Sequence, residues 1–167
     1  MKELVSLLGF LLLPALLSCS GGGAKSSTAA KDSIVRKQEL TTLLKGNQCA
    51  AKKEQQLLIK NESDFATQWK QTFDGFDMAP AKPEVNFSKY WVVFATMGEV
   101  SHGGFEIEAK SIVEDSGIMI INIQHKIPGN GCFTTQEIEY PFIFAQIEQY
   151  PSLMFEFRIE KVIYSCK

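Results

Sequence analysis

The stretch "YWVVFATMGEVSHGGFEIEA", residues 90–109, joins two strands of different character across a pair of glycines. Residues 90–95 form an unbroken apolar run, which predicts a central strand covered on both faces. From Phe105 onward, apolar and charged residues alternate, which predicts a strand with one buried face and one solvated face. The role of Gly103 and Gly104 between these strands is the question that the stretch raises.

This glycine pair needs a physical reason, because glycine costs conformational entropy and buries no side chain. Three explanations stay open. The pair can form a turn or bulge that needs positive φ, or it can pack closely beneath an aromatic ring such as that of Phe142. It can also leave a bare backbone edge for a partner protein. The third explanation predicts that loops 98–104 and 127–134 lie at one end of the sheet, with Phe133 exposed between them.

The rest of the chain predicts one helix followed by strands. "NESDFATQWKQTF", residues 61–73, has a possible cap at Asn61 or Ser63 and an acidic first turn. Aromatic residues follow at four-residue steps, namely Phe65, Trp69 and Phe73. That stripe predicts a helix packed on a sheet. The other predicted strands are 55–61, 104–113, 118–125, 142–147 and 153–164, of which 104–113 and 118–125 form a hairpin. We expect a mainly β fold with one N-terminal helix (α+β), in which an antiparallel sheet forms a sandwich or a curled barrel.

The N-terminal residues predict export and lipid attachment. Residues 1–18 have a positive start and a short apolar core, as in a secretory signal peptide. "LLSC", ending at Cys19, resembles the lipobox of bacterial lipoproteins, which implies cleavage before Cys19 and its acylation. An ordinary signal peptide with a chance cysteine is the alternative. Residues 19–33 are rich in Gly, Ser, Ala and Lys and predict a flexible tether, so that residues 34–167 form a single globular domain.

The charge of the chain limits its partners. The formal net charge is -2 at pH 7, so there is no basic excess to bind nucleic acid.

Beyond the lipobox, Cys49, Cys132 and Cys166 form an odd set that allows three pairings. We favour a disulfide between Cys132 and Cys166, each at the end of a predicted strand, which would stabilise the fold by roughly 3–4 kcal/mol. Cys49 is then a buried free thiol.

The sequence does not support catalysis. None of the nucleophile, zinc-protease or nucleotide-binding motifs occurs, and we expect no cofactor. His102 and His125 lie near opposite ends of the predicted hairpin, where they could approach each other, but a metal would need a third ligand. We therefore expect no metal and interpret both histidines as exposed loop residues. Glu106 and Glu108 are interpreted as solvated charges on the outer face of a strand.

One region, at about 90–150, contains an ordered series of short motifs. They are an apolar strand ending near a glycine, a glycine step into an alternating strand, a Pro-Gly loop, a Thr-rich strand start and a proline before the last apolar strand. The residues are Gly98, Ser101, His102, Gly103, Gly104, Phe105, Pro128, Gly129, Thr134, Thr135, Gln136, Pro141 and Phe142. In this order and spacing the region resembles the C-terminal domain of the PrcB family of protease-complex proteins. His102 replaces the usual Thr, and Phe replaces Tyr at positions 105 and 142.

The resemblance implies a non-catalytic lipoprotein that binds a protein partner. The family is named for a member that binds and stabilises a secreted protease, so an exported protease is the partner class it suggests. We expect a location in the bacterial cell envelope, with contact to the membrane through the lipid anchor. The residues predicted to bind the partner are Gly98, His102, Gly103, Gly104, Pro128, Gly129 and Phe133. The alternative is a protease inhibitor that acts through glycine-rich loops, by analogy with the chagasin-like inhibitors.

Overall fold

The computed structural model describes residues 40–115, 117–150 and 154–166. The predicted signal peptide, lipid attachment at Cys19 and tether lie outside these residues. The elements in chain order are β1 (Thr41–Gly46), β2 (Gln55–Ile59), α1 (Glu62–Thr72), β3 (Tyr90–Thr96), β4 (Glu106–Asp115), β5 (Ile118–Pro128), β6 (Phe142–Glu148) and β7 (Met154–Tyr164). No helix within these ranges has the length and apolar character needed to cross a bilayer.

The strands form two separate sheets. One has the order β1-β6-β3-β2 and is antiparallel throughout, and the other has the order β4-β5-β7. The predicted mainly β fold with one helix is confirmed. Of the two predicted architectures, the sandwich is correct and the curled barrel is wrong, because both sheets have open edges and do not close on each other.

The central strand β3 is buried on both faces, as its continuous apolar run predicts. Trp91 and Val93 point into a core shared with β4, β5 and β6, whereas Val92 and Phe94 point into a second core shared with α1. Successive side chains of a strand alternate between the faces of the sheet, so every residue of the run needs apolar surroundings. The four-stranded sheet is therefore the middle layer between the helix and the three-stranded sheet.

The helix covers the outer face of this middle layer. It begins at the predicted cap, where the Asn61 side chain accepts a hydrogen bond of 2.9 Å from the backbone N–H of Asp64. The rings of Phe65 and Trp69 lie 5.8 and 5.1 Å from that of Phe144 on β6. The predicted aromatic stripe is thus part of the core, and the sequence interpretation of Trp69 as a core residue is confirmed.

The hairpin of β4 and β5 is present, but its alternation is interrupted. Register shifts between Ala109 and Ser111, so one extra residue is accommodated at a bulge. Because of this shift, Ile107 and Ile112 both face the core although their spacing is odd, and they are 3% and 2% exposed. The bulge keeps a ten-residue strand buried on one face.

One part of the fold prediction is wrong, because β7 pairs with β5 in parallel. β5 runs toward one end of the sandwich, and the chain then returns through β6 in the other sheet. When it crosses back as β7, it therefore runs in the same direction as β5. The parallel pairing follows from the crossover between sheets, which no local pattern in β7 indicates.

Removal of the Phe144 ring should destabilise the fold strongly, because this fully buried ring contacts α1 and β3 together. We expect Phe144→Ala to lower the free energy of unfolding by about 3–5 kcal/mol, as measured by denaturant titration. Phe133→Ala is the matched control, because Phe133 is fully exposed, and it should change stability by less than about 0.5 kcal/mol. Equal losses in the two variants would contradict this account of the core.

Candidate functional site

Two loops meet at one end of the sandwich. The first loop, residues 97–105, connects β3 to β4, and the second loop, residues 129–141, connects β5 to β6. Val100 and Glu139 exchange two backbone hydrogen bonds of 2.9 and 3.1 Å, and the N–H of Gly103 donates to the carbonyl of Thr135 at 3.0 Å. We call residues 97–105 and 129–141 together the paired-loop surface. The loops thus lie at the same end, as one explanation of the glycine pair requires.

Gly103 allows the second loop to pack directly on the first. A Cβ atom at this buried position would collide with the hydroxyl oxygen of Thr135. The explanation by close packing is therefore correct in kind, but its predicted partner is wrong. The ring of Phe142 covers Gly46 of β1 instead, where an added Cβ would lie 2.9 Å from it. Because the N–H of Gly103 is bonded to Thr135, it is not free for strand addition.

Gly104 combines a turn with a close contact. Its φ of +91° lies in the left-handed region, which favours glycine. Its carbonyl accepts a hydrogen bond of 2.7 Å from the Tyr164 hydroxyl at the end of β7. Gly98 has a similar role at the start of the first loop, where φ is +72° and an added Cβ would lie 2.7 Å from the Lys53–Glu54 backbone. Both positions favour glycine for conformation, and at Gly98 the close Lys53–Glu54 backbone also leaves no space for a side chain.

The second loop is fastened to the end of β7. Cys132 and Cys166 form the disulfide that the sequence analysis favours. Nearby, the N–H of Gly129, directly after Pro128, donates to the carbonyl of Tyr164 at 2.9 Å. The loop is therefore held at three places: by β7, by the disulfide and by the first loop.

Two apolar side chains project from this fastened loop into solvent. Phe133 is fully exposed, and Ile138 is 51% exposed. Exposed apolar residues scattered singly are common on protein surfaces, and these two show where apolar surface is available on the second loop. The loop pattern in the sequence indicates Phe133, whereas Ile138 lies in a stretch without a distinctive spacing and is not predicted.

The paired-loop surface also carries polar side chains from both loops. Nδ1 of His102 lies 2.9 Å from the carbonyl oxygen of Gly103, and its ring lies 5.0 Å from that of Phe105. The Tyr140 hydroxyl donates to Glu99 at 3.1 Å, and this hydrogen bond raises the pKa of Tyr140. The paired-loop surface thus carries exposed apolar side chains together with hydrogen-bonded polar side chains.

His125 differs from its sequence interpretation as an exposed loop residue. It lies inside β5, is 1% exposed and faces the core opposite Ile107. Burial lowers the pKa of His125; the negative charge of Glu54 opposes this lowering, and the positive charge of Lys161 adds to it. Within the ranges that the structure describes, its Nε2 has no hydrogen-bond partner, and no group of three or more acidic, His or Cys residues could hold a metal.

The other residues considered for chemistry have structural surroundings. Cys49 is free and buried, as predicted, and burial raises the pKa of its thiol, which disfavours the nucleophilic thiolate. Glu106 and Glu108 both form ion pairs with Lys126 on the outer face of the hairpin. The Lys126 partner lowers the pKa of Glu108, so this carboxyl is not prepared to act as a general acid.

Comparison with known proteins identifies part of the chain. Residues 91–148 match the family model described as PrcB C-terminal, which confirms the resemblance predicted at about 90–150. The matched residues contain β4, β5, β6, nearly all of β3 and the whole paired-loop surface, whereas α1 and β7 lie outside the match. Comparisons with curated proteins and with solved structures found no match.

Gly103→Ala should destabilise the protein by about 1–3 kcal/mol, because the new methyl group collides with Thr135. Thr135→Ala alone removes an exposed hydroxyl and should have little effect. The double variant should recover most of the loss, since the colliding atom is then absent. Denaturant unfolding of all four chains gives the coupling between the two positions, and a double variant as unstable as Gly103→Ala would contradict the packing argument.

The stability of the protein should decrease in mild acid because of His125. Its folded-state pKa lies below the ordinary value of 6.5, so the unfolded chain binds the proton more readily than the folded chain. The contribution of neutral His125 to the free energy of unfolding is therefore fully present above about pH 6.5. It decreases as the pH falls from there toward the folded-state pKa.

His125→Gln should flatten this part of the stability profile, measured by denaturant unfolding between about pH 7 and pH 5. His102→Gln is the control, because His102 lies in the first loop and outside the core, and this variant should keep the profile of the unaltered chain. A profile unchanged by His125→Gln would show that other groups cause the acid dependence.

Proposed function

We propose, from the match of residues 91–148 to the PrcB C-terminal family model, that the protein is a non-catalytic accessory subunit that binds an exported protease. The partner contacts the paired-loop surface and covers the exposed apolar side chains of Phe133 and Ile138. The polar groups of Glu99, His102 and Tyr140 form the rim of the contact.

The observation that carries this proposal is the exposure of Phe133 on a loop that is otherwise immobilised. Aromatic side chains, including Phe, are enriched in protein–protein interfaces, and hot-spot residues typically fill well-packed pockets on the partner. The disulfide and the contacts at Gly103 and Gly129 restrict the loop before binding. Association then costs less conformational entropy, because little of the loop remains to be ordered.

The extent of the family match supports the location of the site. The matched segment includes both loops and nearly all of the strands that carry them, but not α1. The helix contributes its aromatic residues to the core and stabilises the middle sheet from outside. A binding role shared by the family is therefore assigned to the loops rather than to the helix.

The N-terminal region extends the proposal to location. Removal of residues 1–18 and acylation of Cys19 would attach the protein to a membrane of the bacterial cell envelope. Residues 19–33, which contain no large apolar side chain, would act as a flexible leash. A lipid anchor would keep the subunit near proteases that are exported to the same compartment.

Phe133→Ser should reduce recovery of the protease partner about tenfold or more, because truncation of an aromatic hot spot typically costs about 2 kcal/mol or more. The measurement is quantitative mass spectrometry of proteins that co-purify with the full-length chain from envelope extracts. Met78→Ser is the matched control, since Met78 is 90% exposed in the loop after α1. This variant should recover the same partner as the unaltered chain.

A photoreactive phenylalanine analogue at position 133 should form a covalent adduct with a protease in intact cells, and the same analogue at position 78 should not. Equal labelling from both positions would contradict the site. If the purified full-length chain instead inhibits papain-like or subtilisin-like proteases, the inhibitor alternative replaces the proposal. Cys19→Ser should move the protein from the membrane fraction to the soluble fraction, and no change would contradict the lipid anchor.

A further inference from the structure

The last strand, β7, is a long and regular edge of the three-stranded sheet. All eleven residues of Met154–Tyr164 pair with β5 in continuous register, without a bulge. No strand pairs with the other edge of β7 within residues 40–115, 117–150 and 154–166. A straight edge of this length presents a row of backbone N–H and C=O groups that another strand can bind.

Apolar side chains are exposed at both ends of this strand. Met154 and Phe155 at its start are 72% and 38% exposed, and Ile163 near its end is 72% exposed. Natural edge strands are usually short, bent by a bulge or protected by charge. β7 is neither short nor bent. Its middle carries the exposed charges Glu156, Arg158, Glu160 and Lys161, whereas its two ends leave apolar surface that a neighbouring strand would cover.

The order of residues in β7 is complementary to itself in the antiparallel direction. When the strand is paired with a second copy about a two-fold axis at Ile159, Arg158 lies opposite Glu160 twice. The same register places Phe155 opposite Ile163 and Met154 opposite Tyr164, so the exposed apolar ends pair with each other. Between them, Glu156 lies opposite Val162 and Phe157 opposite Lys161. Directly opposite residues on one face of a sheet are the pairs that stabilise it, and opposite charges there are favourable.

From this complementarity we infer that two copies of the chain associate through β7 and form one continuous six-stranded sheet. Opposite residues must lie on the same face, so the two-fold axis must pass through a residue rather than between two residues. An axis at Arg158 or at Glu160 places like charges opposite each other. An axis at Phe157 leaves residues 161–164 without a partner, whereas the axis at Ile159 pairs the whole strand.

The dimer keeps both paired-loop surfaces accessible. β7 ends beside the second loop, to which the Cys132–Cys166 disulfide joins it. Because the two β7 strands run in opposite directions, the two paired-loop surfaces point toward opposite ends of the joined sheet. The contact is isologous and closed, so it produces a dimer and not a fibre. It does not depend on the proposed partner.

Charge reversal tests this register. R158E places two glutamates opposite each other at two positions of the dimer, and E160R does the same with two arginines. Each single variant should raise the dimer dissociation constant about tenfold or more, because two favourable pairs become repulsive. The variant carrying both changes restores opposite charges and should dimerise like the unaltered chain.

The measurement is sedimentation equilibrium of the full-length chain in density-matched detergent, with circular dichroism to establish that each variant is folded. A monomeric unaltered chain at micromolar concentration would overturn the inference. Failure of the double variant to recover dimerisation, with its fold intact, would also overturn it. F133S should leave the dimer unchanged, which separates this test from that of the proposed function.

Cysteine cross-linking provides a second test that does not depend on charge. In I159C, the new cysteine lies opposite the same cysteine of the second copy. Opposite residues of an antiparallel pair have Cα atoms about 4.5–5.5 Å apart, within disulfide range. In K161C, the two cysteines at position 161 lie about 13 Å apart along the strands, so they cannot form a disulfide. We expect a covalent dimer of I159C on non-reducing gels and none of K161C. A dimer of F157C in place of I159C would contradict this register.

Discussion

Burial of both faces of β3 and β6 is the constraint on which the rest of the structure depends. Phe94 and Phe144 pack with ring centres 4.7 Å apart on the helix side, while Val93 and Ile143 enter the core between the sheets. Neither strand can be left with one face in water, because the apolar surface would be exposed. The helix and the three-stranded sheet are therefore both required to cover the middle layer.

This layered arrangement also creates the candidate site. β3 and β5 end at the same end of the sandwich, so the loops that follow them emerge side by side. Contact between them then depends on the missing side chain at Gly103 and the left-handed backbone at Gly104. The glycines serve the internal fit of the loops, and this fit holds Phe133 outward. Close packing of the two loop backbones thus determines where Phe133 lies.

Local patterns predicted much of the fold, because they report the surroundings of each strand separately. The cap at Asn61, the aromatic spacing in α1 and the change from a continuous to an alternating apolar pattern at the glycine pair all correspond to observed elements. The parallel pairing of β7 and the burial of His125 were missed. Both depend on which strands become neighbours after the chain crosses between the sheets.

The candidate site, too, could be predicted from the sequence only in part. The glycine positions and the exposed aromatic residue were recognisable from the sequence, since glycine pairs and Pro-Gly steps have few structural uses. The contacts of Gly103 with Thr135 and of Gly104 with Tyr164 were not, because these residues are far apart along the chain.

The sequence by itself therefore determined the helix, the central apolar strand and the hairpin, but not β1, whose stretch has a mixed pattern. These features are set by interactions between near neighbours and by the solvent exposure of individual side chains. Only the tertiary structure decided the division into two sheets, the direction of β7 and the partners of the glycines. These depend on contacts between distant segments, whose free energy is gained only when the whole core is assembled.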